Sequence, residues 1–266
     1  QHGLSAVVSW VEANASLIEL ADVASDLEVA GSIREIPHGI QKLVEPFRPP
    51  RIFACASNYR EHAKEMGTVL AEKAESKPYM FIKASSAVIG PWQTVVIPRE
   101  TEKPDWEVEL GVVIGKSARR ISVDEALDYI DGYPVVNDVS ARDLTRRSDY
   151  PFKFDWFQGK SFDTFAPVGP WIVPSSVITD PHSLKLQLSV NDDLMQDGTT
   201  EELIFNIAEQ ISYLSDILTL EPGDLIATGT PTGVGASRGI FLKSGDVMRA
   251  SVQNIGVLEN PVGDEA

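Results

Sequence analysis

The sequence has little sulfur and few imidazole groups. Cys55 is the one cysteine in 266 residues, so no internal disulfide can form, and a buried thiol is the expected state of its side chain. With one cysteine and four histidines (His2, His38, His62 and His182), the typical zinc ligand sets cannot be built. A metal site in this chain would use oxygen ligands, which favour Mg²⁺, Mn²⁺ or Ca²⁺.

Long apolar runs and a surplus of positive charge are also missing. No stretch approaches the about 20 apolar residues of a membrane span, and no signal-peptide pattern opens the chain, so we expect a cytoplasmic protein without a membrane partner. The 23 basic and 39 acidic residues give a formal charge of -16, which argues against nucleic acid as a partner. A small anionic substrate would need a local cationic pocket. The first residue is Gln1 rather than Met, so we expect the natural start to be missing.

Strand patterns outnumber helix patterns, which predicts an α+β fold that is mostly β. The proline-rich segment at residues 45–50 cannot continue a helix or a central strand, so residues 1–48 are interpreted as a small N-terminal α/β appendage and residues 49–266 as the main domain. Strands are predicted at residues 51–56, 81–83, 95–98, 105–114, 184–190, 225–228 and 247–252, and helices at 58–67, 122–131 and 200–218.

Two carboxylates share one face of the strand predicted at residues 105–114. Alternation places Glu107 and Glu109 on the same side, one pleat apart and opposite the apolar side chains. Like charges that close need a cation, a shared proton or open water between them. Asp138 follows a second apolar strand, and three oxygen ligands converge if the two strands are neighbours. The alternative is the wet face of a half-exposed strand without a metal.

A histidine and a glutamate have the spacing of an acid–base pair. His62 and Glu65 lie one turn apart on the helix predicted at residues 58–67. A carboxylate beside an imidazole orients the ring and raises its basicity for proton abstraction. The alternative is an exposed pair on a short helix. The polar segment at residues 68–76 is expected to be a mobile flap.

Several basic side chains are candidates for binding anions. Lys83 and Lys160 would stabilise a bound anion if they face an acidic site, and Arg142 would recognise a carboxylate. The alternative for each lysine is a solvated surface charge. Salt bridges are the expected role of Arg146 and Arg147.

Two loops complete the set of candidates. The aromatic segment at residues 148–158 either covers a pocket or an oligomer contact, or it packs in the core. The segment at residues 229–235, Gly-Thr-Pro-Thr-Gly-Val-Gly, lacks the lysine of a phosphate loop. It is either a tight turn without a ligand or a cradle for a carboxylate that uses Thr230.

Taken in order, five motifs resemble those of the fumarylacetoacetate hydrolase superfamily, in its bacterial single-chain branch. They lie at residues 58–66, 105–110, 137–143, 159–163 and 229–235. The resemblance implies a mixed β-sandwich roll that forms a homodimer. It also implies Mg²⁺ or Mn²⁺ on Glu107, Glu109 and Asp138, a catalytic His62–Glu65 dyad on a lid that orders with substrate, an oxyanion steadied by Lys160, and substrate binding by Tyr59, Arg60, Lys83, Arg142 and Thr230.

The chemistry that follows from the resemblance is metal-assisted cleavage of a carbon–carbon bond. The expected substrate is a small anionic 2,4-diketo acid, an acylpyruvate or fumarylpyruvate, which gives pyruvate or a related 2-keto acid. His62 would deprotonate the attacking water. Alternatives are decarboxylation of oxaloacetate, isomerisation of a hydroxy-diene diacid, and a silent metal-loaded binding protein. Ala56 and Thr145 replace a glycine and a glutamine common in the family, which leaves the substrate open.

Overall fold

The computed structural model of the protein describes residues 44–265, and the predicted appendage at residues 1–48 therefore lies almost wholly outside the described residues. The mostly β prediction is confirmed, because fourteen strands in this part of the chain accompany four short α-helices. The strands are β1 (Ile52–Ala56), β2 (Tyr79–Lys83), β3 (Val88–Ile89), β4 (Val95–Ile97), β5 (Pro104–Asp105), β6 (Val108–Ile114), β7 (Ile130–Asn137), β8 (Ser140–Ala141), β9 (Ala166–Pro174), β10 (Lys185–Val190), β11 (Asp193–Thr199), β12 (Leu225–Ala227), β13 (Val247–Val252) and β14 (Gly256–Asp264).

The four α-helices are α1 (Arg60–Glu65), α2 (Trp156–Lys160), α3 (Ile207–Ile217) and α4 (Gly235–Arg238). Short 3₁₀ helices lie between strands, at Lys73–Glu75, Ser85–Ala87, Ala126–Tyr129, Arg142–Leu144 and Thr200–Glu202. None of the helices described between residues 44 and 265 has the length and apolar character required to cross a membrane.

Two mixed sheets form the body of the domain. The larger sheet has seven strands in the order β2-β1-β12-β6-β7-β9-β3, and the smaller has five in the order β11-β10-β13-β14-β4. Strands β5 and β8 pair separately as a two-stranded ribbon. Most neighbours are antiparallel, and the parallel pairs are β1 with β12, β14 with β4 and β3 with β9.

Strand β6 is buried along its whole length because both faces of its sheet are covered. Leu110 and Val112 pack in the larger apolar core, which also takes Leu188 from β10 and Ile211 from α3. Val113, on the opposite face of β6, belongs to a second apolar cluster with side chains from β1, β7, β9 and β12. A strand covered on both sides places any polar side chain it carries in the interior.

The predicted helices are shorter in the structure. In the region 122–131 the Ser122 N–H and hydroxyl donate to the Glu125 carboxylate, but only one 3₁₀ turn follows. Helix α3 begins at Ile207 rather than near residue 200, since Asn206 and Glu209 form a capping box there.

Asn58 does not cap helix α1. Its side chain instead bonds to the backbone of Phe205 and Thr228, at 2.8–2.9 Å, and so ties the start of α1 to two other segments.

Candidate active site

Three carboxylates meet where β6 begins and β7 ends. The two strands are antiparallel neighbours, and the Asp138 N–H donates to the Glu107 carbonyl oxygen at 2.8 Å. One carboxylate oxygen from each of Glu107, Glu109 and Asp138 lies within 4.8 Å of the others, and all three side chains are buried. The carboxylates therefore converge as the alternation of residues 105–114 predicted, and the wet-face alternative does not apply.

Buried cations lie against two of the three acids. Lys160 Nζ donates to Glu107 Oε2 at 2.7 Å and to Asp138 Oδ2 at 2.6 Å, while Lys83 Nζ donates to Asp138 Oδ1 and Arg142 Nη2 to Glu107 Oε1, each at 2.5 Å. Burial lowers the pKa of Lys83. For Lys160 the negative charges of Asp138 and Glu107 outweigh the effect of burial and raise the pKa. Neither lysine is a solvated surface charge.

The cations act unequally on the two glutamates. Burial raises the pKa of Glu107, but the charges of Arg142 and Lys160 outweigh it and hold that pKa well below its usual range. Burial and the charges of Asp138 and Glu107 raise the pKa of Glu109 well above its usual range. No lysine or arginine within residues 44–265 forms an ion pair with Glu109.

The acidic centre fits a hard divalent cation. Its donors are three carboxylate oxygens, the ligand type that Mg²⁺ and Mn²⁺ prefer, and they already converge without any rearrangement of the strands. A doubly charged ion would offset the repulsion that raises the pKa of Glu109. Glu107, Glu109 and Asp138 are thus the residues that would hold such an ion.

His62 and Glu65 form a hydrogen-bonded pair on α1. The imidazole Nδ1 lies 2.8 Å from Glu65 Oε1, and the Gly233 N–H donates to the same carboxylate at 3.1–3.2 Å. Burial raises the pKa of Glu65, but these hydrogen bonds outweigh burial and lower it below its usual range. His62 is 7% exposed, so this is not a solvated surface pair.

The glycine-rich segment at residues 229–235 binds acidic side chains of the protein itself. The Gly229 N–H donates to Glu109 Oε2 at 2.7 Å, and the Gly235 N–H donates to Asp105 Oδ1 at 2.7 Å. Gly229 has a φ of 109°, in the left-handed region that favours glycine. The carboxylates cradled by these two N–H groups are therefore part of the fold.

A single cavity of about 620 Å³ connects the two halves of the site. Seven of the predicted site residues line it: His62, Glu107, Glu109, Asp138, Arg142, Lys160 and Thr230. The Thr230 hydroxyl donates to the Val108 carbonyl oxygen at 2.8 Å and accepts from Gln196 Nε2 at 2.8 Å. The metal-binding triad, the histidine and the cationic groups thus face a shared space.

The other predicted substrate-binding residues lie away from the cavity lining. Tyr59 is 1% exposed and Lys83 is buried behind Asp138, while the Arg60 guanidinium lies on the surface, 4.0 Å from Glu72. Their roles in substrate binding stay predictions.

The predicted flap at residues 68–76 borders the cavity through Thr68 and Leu70. Within it, Lys73 forms an ion pair with Glu209 of helix α3 at 2.8 Å. Ordering of this segment with substrate stays a prediction.

Asp105 is the site residue that the sequence analysis missed. It is fully buried, and its Oδ1 accepts the N–H groups of Trp106 and Gly235 at 2.8 and 2.7 Å. Its Oδ2 accepts Arg142 Nε at 2.7 Å and the Ala236 N–H at 3.0 Å. Asp105 therefore fixes the arginine that contacts the acidic centre. Asp105 lies two residues before Glu107, so the alternation that places Glu107 and Glu109 on one face also predicts the position of Asp105.

Three buried carboxylates and a hydrogen-bonded His–Glu pair at one cavity are the kind of groups that form an enzyme active site. The chain belongs to the fumarylacetoacetate hydrolase family, because residues 51–263 match the family model described as fumarylacetoacetate (FAA) hydrolase C-terminal. The resemblance stated from its five motifs is thereby confirmed.

Several proteins similar to this chain are named as enzymes, and their reactions differ. It is 43% identical over 249 residues to 2,4-didehydro-3-deoxy-L-rhamnonate hydrolase of Sphingomonas sp. (strain SKA58), covering 92% of this chain and 81% of the relative. It is 36% identical over 237 residues to the mitochondrial oxaloacetate tautomerase Fahd2a of Rattus norvegicus, covering 88% and 73%. Fumarylpyruvate hydrolase of Pseudomonas aeruginosa, solved with Mn²⁺ and pyruvate, superposes with a TM-score of 0.74 at 32% identity, covering 82% of this chain and 91% of that one.

Proposed function

We propose that this protein is a divalent-metal-dependent hydrolase that cleaves a carbon–carbon bond in a 2,4-diketo acid of the acylpyruvate or fumarylpyruvate type. The observation that carries the proposal is that one cavity is lined by both the acidic triad and His62, whose ring is oriented by Glu65. The two hydrolases among the relatives support this reaction class, and the Mn²⁺ and pyruvate bound to one of them support the cofactor and the product.

The acidic end of the cavity binds the 2-oxo acid half of the substrate in this proposal. Glu107, Glu109 and Asp138 would hold Mg²⁺ or Mn²⁺, which supplies Lewis-acid polarisation of the substrate oxygens. The Lys160 ammonium adds positive charge at the same place, since it contacts two of these carboxylates. This end of the site therefore favours the accumulation of negative charge on a bound anion.

His62 acts as the general base. Its Nδ1 is engaged by the Glu65 carboxylate, so Nε2 takes a proton from water. The hydroxide adds to the distal carbonyl carbon, and the bond from that carbon to the adjacent methylene breaks. The electron pair passes to the 2-oxo acid fragment, whose methylene carbon then takes a proton. One water thus yields a carboxylic acid and pyruvate or a related 2-keto acid.

The experiment is to assay pyruvate release from acylpyruvates with Mg²⁺, with Mn²⁺ and with chelator. We expect release only with added metal, and a loss in kcat of about 10²-fold or more for His62→Ala. Lys64→Ala, on an exposed position of the same helix, is the matched control and should keep wild-type rates. Absence of acylpyruvate cleavage under all metal conditions would overturn the proposal.

A second candidate is an activity on oxaloacetate, supported by the identity to the rat tautomerase. Moving a proton between carbon and oxygen needs His62 as acid and base but no water attack on a second carbonyl. Decarboxylation of oxaloacetate or isomerisation of a hydroxy-diene diacid would make similar use of the acidic end. Turnover of oxaloacetate or of the diene diacid, with acylpyruvates left intact, would favour this candidate.

A further inference from the structure

Beyond the acidic triad, the cavity continues along a row of aromatic rings. The Lys160 ammonium lies 5.6 Å from the centroid of Phe81, the centroids of Phe81 and Trp156 are 5.2 Å apart, and those of Trp156 and Phe154 are 6.2 Å apart. We call Phe81, Trp156 and Phe154 the aromatic wall, and all three line the cavity. The wall thus runs from the catalytic centre to the exposed ring of Phe154.

Arg146 lies at the outer end of this wall. Its guanidinium carbon is 5.4 Å from the centroid of Phe154, and its side chain lines the same cavity as the triad. No carboxylate of residues 44–265 forms an ion pair with it. The next residue differs, because Arg147 pairs with Asp149 at 2.6 Å and with Asp155 at 3.3 Å and does not line the cavity. The salt-bridge prediction therefore holds for Arg147 but not, within the described chain, for Arg146.

The charged side chains on the cavity lining fall into two groups. The carboxylates on the lining are those of the triad, and Arg142 and Lys160 are paired with them. The remaining lysine and arginine on the lining are Lys77 and Arg146, both exposed to solvent. In a protein with a formal charge of -16, a cation on the cavity lining that no described carboxylate neutralises attracts anions.

We propose that Arg146 binds a second carboxylate, at the end of the substrate opposite the 2-oxo acid group, so that the protein prefers dicarboxylic 2-oxo acids. A guanidinium that lies over an aromatic ring still has N–H groups along the edge of its own plane, and these can bind a carboxylate in bidentate fashion. The aromatic wall packs against the chain between the two carboxylates. This inference rests on the proposed function, which assigns the 2-oxo acid group to the triad.

Binding of stable product-like acids tests the subsite without turnover. The probes are 2-oxoadipate and 2-oxohexanoate, which have the same chain length and differ in the terminal carboxylate, each measured by calorimetry on protein saturated with Mg²⁺. Arg146→Met keeps an apolar stem over Phe154 but removes the charge, and we expect it to weaken binding of the dicarboxylate about tenfold while leaving the monocarboxylate unchanged. Arg146→Lys should restore much of the difference, and Arg147→Met, the neighbouring cation, should change neither affinity.

If Arg146→Met lost the same affinity for both acids, or lost affinity for neither, the proposal of a second carboxylate subsite would be refuted. The corresponding acylpyruvates, ending in a carboxylate or in a methyl group, separate this inference from the proposed function. Cleavage of both with equal KM would refute the subsite and leave the hydrolase intact. Failure to cleave either, with the Arg146-dependent preference for 2-oxoadipate retained, would refute the hydrolase and support the subsite.

Discussion

Replacing Asp105 by asparagine keeps the size of the side chain and exchanges one carboxylate oxygen for an amide NH₂ group. The carboxylate accepts four hydrogen bonds, two at each oxygen, and one of the four donors is the guanidinium of Arg142. An asparagine can accept at one oxygen only, so in either orientation its NH₂ faces two N–H donors. The substitution also leaves Arg142 with one carboxylate partner instead of two.

The expected loss in the free energy of unfolding follows from the burial of this ion pair. Asp105 is fully buried and the Arg142 side chain is 11% exposed, so water cannot replace the lost bonds. Removing one member of a buried ion pair costs about 3–5 kcal/mol. For a chain of this size that corresponds to a decrease in Tm of roughly 10 °C, and it is a large part of the about 5–15 kcal/mol by which folded proteins are stable.

Urea denaturation and calorimetry of Asp105→Asn measure this loss. Asp149→Asn is the matched control, because it removes a carboxylate from another arginine, Arg147, on the exposed surface, and should leave the unfolding transition unchanged. A change below about 1 kcal/mol in the free energy of unfolding of Asp105→Asn would refute the assignment of Asp105 as the anchor of Arg142.

Three further predictions concern the dyad, the triad and acid stability. Glu65→Gln should lower kcat about 10²-fold with little change in KM, since the imidazole loses its orienting charge, whereas Glu61→Gln, on the exposed side of the same helix, should not. Glu109→Gln should abolish the metal-dependent gain in the free energy of unfolding, which for wild type is about 2.7 kcal/mol at a metal concentration of 100 Kd and is measured as a rise in Tm. Burial lowers the pKa of His182, whose Nε2 accepts the Ile207 N–H at 3.2 Å, so the folded state favours the neutral ring. Its contribution to stability is complete above the usual pKa of about 6.5 and is lost as pH falls through the lower folded pKa; His182→Gln should flatten urea stability across that range.

The acidic centre could be predicted from the alternation of side chains along a strand. Glu107 and Glu109 could be placed on one face from the period of two, and Asp138 followed from the end of a second apolar strand. The spacing of His62 and Glu65 gave the dyad in the same way, because three residues make about one helical turn. These signals are local, so a sequence displays them directly.

The roles of the cations could not be read in this way. Lys83 and Lys160 are 77 residues apart, yet both donate to Asp138, and only the order of strands in the larger sheet and the position of α2 bring them there. Their type and spacing are equally compatible with solvated lysines. Contacts of this kind depend on tertiary packing, for which a single sequence carries no periodic signal.

The glycine-rich segment shows why a correct motif can be assigned the wrong partner. Its N–H groups were expected to face a ligand or nothing, but those of Gly229, Gly233 and Gly235 hold Glu109, Glu65 and Asp105 respectively. One loop therefore contacts a candidate metal ligand, the group that orients the base, and the anchor of Arg142. Since buried carboxylates need such donors to remain in place, the loop links the two halves of the site. A displacement of its backbone would disturb the acidic centre and the dyad together, which makes the precision of this turn a requirement of the chemistry rather than of the fold alone.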